Sequence, residues 1–128
     1  MSESFNAKRG LILVRAELLS PSNRIVVVRL ALDTGASGTL INVGPMVTAG
    51  YDPALAPDRV QITTGSGVEY VPRLPVVRFK ALGQERKNFL VLSHTLPPSA
   101  QVDGLLGLDF LRDQELIIDF RNGLLTLK

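Results

Sequence analysis

The sequence predicts a single all-β domain, a sandwich or a barrel, with one short helix near the C-terminus. Short runs of apolar and β-branched residues recur along the chain, and turn-forming residues, among them 11 Gly and 8 Pro, separate them. Helical periodicity is almost absent. The 128 residues are enough for one hydrophobic core but too few for two ordinary domains.

The first half of the chain begins with a hairpin. Segments 11–18 and 24–32 are strand-like, and the sequence Leu-Ser-Pro-Ser-Asn between them favours a turn. Residues 37–42 predict another short strand. The Gly- and Pro-containing segment 43–58 is expected to be irregular, with at most one helical turn.

A second hairpin is predicted over residues 60–72, where two short strands flank a Gly-Ser-Gly turn. Pro72 and Pro75 then predict a sheet edge or an interruption, because proline cannot donate a hydrogen bond within a central strand.

The second half ends with a strand at 87–93, a brief helix at 108–113 and a hairpin whose turn contains Asn-Gly at 122–123. Residues 1–8 carry no strand pattern and are predicted to be a flexible N-terminal tail. The folded domain is therefore expected to span residues 9–128.

Composition and charge exclude several classes of function. The net charge is only +2, with no basic stripe, so no nucleic acid partner is expected. The chain has no cysteine and a single histidine, His94, which argues against disulfides, thiolate catalysis and a His-rich metal site. It shows no signal peptide pattern and no apolar run of membrane-spanning length, so we expect a cytoplasmic protein without a membrane partner.

Asp33 is the candidate catalytic residue, because it ends the apolar run 24–32 abruptly. An ionised carboxylate at the end of a buried strand is costly unless something compensates it. Taken alone, Asp33-Thr34-Gly35 also suits a simple turn. Two carboxylates held close together, however, can activate water and protonate a carbonyl oxygen, because both cannot be ionised at once.

Three motifs carry a family resemblance. Leu-Ala-Leu-Asp-Thr-Gly-Ala-Ser stands at 30–37, a glycine-containing hairpin follows at 62–71, and Leu-Leu-Gly at 105–107 precedes the predicted helix. In this order they resemble the retropepsin-like aspartic proteases, which include retroviral and retrotransposon proteases and their single-domain cellular or bacterial relatives. The resemblance covers residues 9–128 and implies a closed retropepsin-like acid protease barrel.

The resemblance also implies the roles of the residues around Asp33. Two Asp-Thr-Gly loops form the active site in this family, so the single loop here implies a C2 homodimer with Asp33 of both subunits on the axis. Thr34 hydroxyls would bond across that axis, and Gly35 would let the backbone approach the carboxylates. The residues that would support this loop are Thr34, Gly35, Ala36, Leu105, Leu106 and Gly107.

The hairpin at 60–72 corresponds to the flap, a lid that would close over an extended peptide. The flap residues implied by this correspondence are Ile62, Gly65, Ser66, Gly67 and Val68, with Ile62 and Val68 lining apolar side-chain pockets. Without its position between the other two motifs, a Gly-Ser-Gly hairpin would equally fit a plain surface turn.

Two positions depart from the pattern common in retroviral members, because Ser37 stands where they have Asp and Leu108 where they have Arg. The expected function remains an aspartic endopeptidase acting on a peptide or protein substrate, with no cofactor and no metal. The alternative is a catalytically silent, dimeric peptide-binding module of the same fold.

Overall fold

The computed structural model describes residues 2–64 and 67–128. Its strands are β1 Ser2–Ser4, β2 Leu13–Leu19, β3 Ile25–Leu32, β4 Leu40–Ile41, β5 Asp58–Thr64, β6 Gly67–Ala81, β7 Gln84–Ser93, β8 Gly104–Leu106, β9 Leu116–Asp119 and β10 Leu124–Leu127; its helices are α1 Val43–Thr48 and α2 Leu108–Leu111. Six strands close into a barrel in the order β2-β3-β8-β4-β7-β6, and the pairing of β2 with β6 completes it. The all-β barrel is as predicted.

The barrel encloses the core because side chains alternate along its strands. In β2, Val14, Ala16 and Leu18 are fully buried, whereas the residues between them are more accessible to solvent. β3 pairs with β2 as the predicted antiparallel hairpin and adds Val28 and Leu30 to the same core.

β6 is continuous through Pro72 and Pro75, where the sequence predicts an edge or an interruption. Pro72 lies opposite Arg59 of β5, before the pairing with β7 begins, and Pro75 lies opposite Leu90 of β7, beyond the end of β5. Each proline therefore has a paired strand on one side only. This local edge explains why the long strand tolerates two residues that lack an N–H group.

The N-terminus differs from the predicted flexible tail, because Ser2–Ser4 form β1, which pairs antiparallel with β10. The hydroxyls of Ser2 and Thr126 lie 2.8 Å apart, and the N–H of Phe5 donates to the carbonyl of Gly123 at 2.8 Å. This docking uses backbone and hydroxyl groups, so the polar sequence Ser-Glu-Ser gave no hydrophobic signal for it.

The helices are short. α2 begins at Leu108 as predicted but ends at Leu111, two residues early, and Phe110 enters the core from it. α1 is longer than the single turn expected there; Pro45 stands in its first turn, where a missing N–H costs no hydrogen bond, and Met46 is fully buried. No helix in the described part of the chain is long and apolar enough to cross a membrane.

Glu3 offers a test of the docked N-terminus. Burial raises the pKa of its carboxyl, and the N–H and the charge of Arg15 offset only part of this effect. The folded chain therefore binds this proton more tightly than the unfolded chain, so ionised Glu3 costs stability above the ordinary carboxyl pKa. We expect Glu3→Gln to raise the free energy of unfolding at pH 7 by roughly a few tenths of a kcal/mol, because solvent still reaches the group.

Urea denaturation at pH 7 and near pH 4 measures this difference, which should vanish at the lower pH as Glu3 takes up its proton. Glu115→Gln is the matched control, because its exposed carboxylate lies 3.6 Å from Lys128 Nζ and its loss should not stabilise the fold. Identical stability of wild type and Glu3→Gln at both pH values would argue against a docked β1.

Candidate active site

Asp33 lies directly beyond β3, where the strand runs alongside β8. The two strands are parallel, with Leu30 opposite Gly104 and Leu32 opposite Leu106. The N–H of Asp33 donates to the carbonyl of Leu106 at 2.9 Å, which extends the pairing one residue beyond the strand. The structure thus brings together two motifs that are far apart in the sequence.

β8 is enclosed by backbone on both sides, because it also pairs antiparallel with β4. A Cβ atom at Gly104 would collide with the carbonyl oxygen of Leu40. A Cβ atom at Gly107 would lie 2.7 Å from the backbone of Gly38 and 2.8 Å from the carbonyl oxygen of Ala36. These contacts explain why glycine stands at both positions.

Hydrogen bonds between residues close together in the chain hold the Asp33 loop in a turn. Asp33 Oδ1 accepts the N–H of Gly35 at 2.9 Å, and its carbonyl accepts the N–H of Ala36 at 3.2 Å. The carbonyl of Ala36 accepts the N–H of Leu108 at 2.8 Å, which ties the loop to α2. Asp33 is half-buried, whereas Thr34 and Gly35 are exposed to solvent.

The loop is anchored by a pair of residues, Thr39 and Asp109, that no local sequence pattern connects. Thr39 is fully buried, and its hydroxyl donates to Asp109 Oδ1 at 2.7 Å while its N–H donates to Asp109 Oδ2 at 2.9 Å. The same hydroxyl accepts the N–H of Gly107 at 3.2 Å. Thr39 and Asp109 thus connect the segment that follows the Asp33 loop to the segment that contains Gly107.

The Leu-Leu-Gly motif lies next to the end of β3, which leads into the Asp33 loop. Leu106 is fully buried in the core, and Leu105 is half-buried opposite Ala31. The aromatic ring of Phe110, in the following helix, packs edge-on against Phe79 at 5.4 Å between centroids. The short helix is therefore fixed to the barrel core. Because the N–H of Leu108 donates to the carbonyl of Ala36, this packing also helps to fix the position of the Asp33 loop.

The hairpin of β5 and β6 is present, but its two predicted pocket residues point in opposite directions. Ile62 lies opposite Glu69 and shares a face with Val60, whereas Val68 lies opposite Thr63 on the other face and is 55% exposed. Any pockets that the two residues line therefore lie on opposite faces of the hairpin. Gly67 begins β6, with the positive φ of 122° that glycine tolerates; Gly65 and Ser66 lie outside the described residues.

A side-chain contact links this hairpin to the loop after β7. His94 Nε2 lies 3.5 Å from Glu69 Oε2, and both side chains are partly exposed. The sequence predicts nothing for His94 beyond a surface position. Among residues 2–64 and 67–128, no group of three or more His, Asp or Glu side chains could hold a metal ion.

A cavity of about 530 Å³, called here the side cavity, opens next to the Asp33 loop. Its lining includes Ser37, Gly38 and Thr39, which follow Asp33 closely in the chain. Its walls come from strands β5, β6 and β7 and from Asp109. The cavity thus extends from the candidate catalytic loop towards the base of the hairpin.

A family model described as aspartyl protease matches residues 23–110, which contain both the Asp33 loop and the Leu-Leu-Gly motif. The chain belongs to the aspartyl protease family. The resemblance predicted from the sequence is thereby confirmed. A comparison with curated protein sequences finds no match.

Two solved structures are similar in fold to this aspartyl protease family member. A retropepsin-like aspartic protease from Rickettsia conorii superposes with a TM-score of 0.73 at 22% identity, covering 99% of this chain and 88% of that one. The retroviral protease-like domain of Ddi1 from Leishmania major gives a TM-score of 0.63 at 21% identity, covering 94% and 90%. The retropepsin-like barrel is confirmed.

Removing the Thr39 hydroxyl should weaken the anchored loop. In Thr39→Val, the N–H of Gly107 and one Asp109 oxygen lose a buried partner, which costs about 1–3 kcal/mol of unfolding free energy. Thr39→Ser keeps the hydroxyl and should retain most of the stability. Urea denaturation of the three proteins makes the comparison, and equal stability of Thr39→Val and wild type would show that the anchor does not hold the loop.

Proposed function

We propose that the chain is an aspartic endopeptidase that works as a C2 homodimer, with Asp33 of each subunit forming one catalytic dyad. The observation that supports this most is the seating of Asp33: a half-buried carboxylate at a strand end, on a loop held by backbone hydrogen bonds to β8 and α2. The chain carries one Asp-Thr-Gly sequence, so a second carboxylate would come from a second copy. Exposed Thr34 is available to meet its counterpart there.

The proposed reaction begins with a water molecule between two Asp33 carboxyl groups, one ionised and one protonated. The ionised group takes a proton from the water as the water oxygen bonds to the peptide carbonyl carbon. The protonated group gives its proton to the carbonyl oxygen. The resulting tetrahedral diol loses the amine when the C–N bond breaks, with one proton passing to nitrogen and one returning to the dyad.

The β5–β6 hairpin would act as the flap. An extended peptide could pair its backbone with the loop and the hairpin, which is the usual way in which β-structures bind strands. On the face shared with Val60, Ile62 would contact substrate, whereas Val68 on the opposite face would not. Closure of the hairpin would exclude bulk water from the dyad.

Asp33→Asn tests the dyad. We expect kcat/KM for a cleavable peptide to fall about a thousandfold or more, because a neutral amide can neither accept the water proton nor share one. Sedimentation should show an unchanged dimer. Asp103→Asn is a matched control, since that carboxylate accepts the N–H of Arg29 outside the proposed dyad. Full activity of Asp33→Asn would refute the mechanism.

The shared site is tested by dilution and by mixing. Specific activity should fall when the protein is diluted below its dimer dissociation constant. An excess of Asp33→Asn should inhibit wild type, because mixed dimers carry only one of the two carboxyl groups. An active protein that remains strictly monomeric in sedimentation would contradict the proposal.

A peptide library incubated with the protein at acidic and neutral pH separates the protease from the silent peptide-binding module. Cleavage that is blocked by a statine-type transition-state mimic supports the protease. Peptide binding without cleavage at any pH identifies the silent module instead.

A further inference from the structure

The side cavity has an unbalanced charge. Its cationic lining residues are Arg73, Arg86 and Lys87, and its anionic lining residue is Asp109. Arg73 is already neutralised, because its Nη2 and Nε atoms donate to the Asp58 carboxylate at 2.6 and 3.3 Å. Asp109 accepts hydrogen bonds from Thr39 and from the N–H of Phe110.

Arg86 differs from Arg73 because its partners are neutral. Its Nη2 donates to Gln84 Oε1 at 2.9 Å and to the carbonyl of Phe110 at 3.1 Å, and its guanidinium lies 4.4 Å from the centroid of the Phe110 ring. Within the described residues, neither Arg86 nor Lys87 forms an ion pair with a carboxylate.

These contacts hold the Arg86 guanidinium in place before any ligand arrives. An arginine that is already ordered loses less side-chain freedom when it binds, and its planar donors suit a carboxylate. The half-buried position of Arg86 reduces screening by water, so an incoming negative charge gains more there than at an open surface.

The other walls suit the stem of an acidic side chain. Phe89, Leu90 and Leu92 of β7 and Val60 of β5 supply apolar surface around the cavity. Its volume of about 530 Å³ accommodates a side chain with its neighbouring backbone. The lining residues Ser37 and Gly38 follow Asp33 closely in the chain, so a peptide lying across Asp33 would pass next to the cavity.

We propose that the side cavity is a specificity site for a glutamate side chain of the substrate, and that Arg86 binds its carboxylate. This inference rests on the proposed endopeptidase function and specifies its substrate class: peptides with an acidic residue on one side of the scissile bond. Arg86 is then a specificity-determining residue that takes no part in the chemical step.

The test uses peptide pairs that differ by Glu or Gln at one position, scanned across the positions on both sides of a cleaved bond. At one position the wild type should cleave the Glu peptide about tenfold faster in kcat/KM than the Gln peptide. In Arg86→Gln this ratio should fall close to one, whereas in Arg86→Lys, which keeps the charge, an intermediate ratio should remain.

The ratio within each variant is insensitive to partial unfolding, which matters because Arg86 also packs on Phe110. Arg78→Gln is the matched control, since it removes an exposed arginine whose partner is Glu85 and which is not part of the cavity lining. It should keep the wild-type ratio.

Binding of the same fluorescent peptides to wild type, followed by anisotropy, separates this inference from the proposed function. Cleavage without any Glu preference would overturn the specificity site and leave the protease standing. Glu-selective binding that is lost in Arg86→Gln, in a protein that cleaves nothing, would support the site and overturn the protease. Neither cleavage nor Glu-selective binding would overturn both.

Discussion

The backbone of β8 lies between β3 and β4, and this contact between three strands determines where the candidate site residues stand. Without a side chain at positions 104 and 107, the strand can pass against the carbonyl groups of its neighbours. The Asp33 N–H then reaches the carbonyl of Leu106, and this backbone contact positions the start of the Asp33 loop. Because such a contact has no soft side chain to adjust, any Cβ atom there must move the main chain.

Hydrogen bonds from Thr39 to the Asp109 side chain add to these backbone contacts. Retroviral relatives commonly place opposite charges at the positions that are Ser37 and Leu108 here, whereas in this chain a buried hydroxyl and a carboxylate connect the same two segments. Ser37 is thereby left free to line the side cavity. In this chain, hydrogen bonds therefore stand in place of an ion pair. The charged residues that line the side cavity, chiefly Arg86, then determine its electrostatic character.

Many of the strands and hairpins could be predicted from the sequence, because each depends on residues that are close together in the chain. Two strand-like apolar runs around a turn-forming sequence predicted the hairpin of β2 and β3, and the abrupt end of the second run at Asp33 indicated the candidate site. The Thr39–Asp109 contact could not be predicted this way, since its members are 70 residues apart and each has an ordinary local explanation. β1 was missed because it docks through its backbone. The prolines of β6 correctly indicated a local sheet edge, but the unbroken course of the strand past them depends on where the pairing with β5 ends and the pairing with β7 begins.

The separation of the two motifs also has a consequence for how the protein is made. The long-range bonds that fix the Asp33 loop join groups 68 to 73 residues apart, from Thr39 with Gly107 to Asp33 with Leu106. Contacts of such long range form late, because closing a long loop costs entropy before the contact repays it. A ribosome-bound chain thus exposes Asp33 well before β8 has been synthesised. The Asp33 loop therefore stays unassembled until most of the domain has been synthesised.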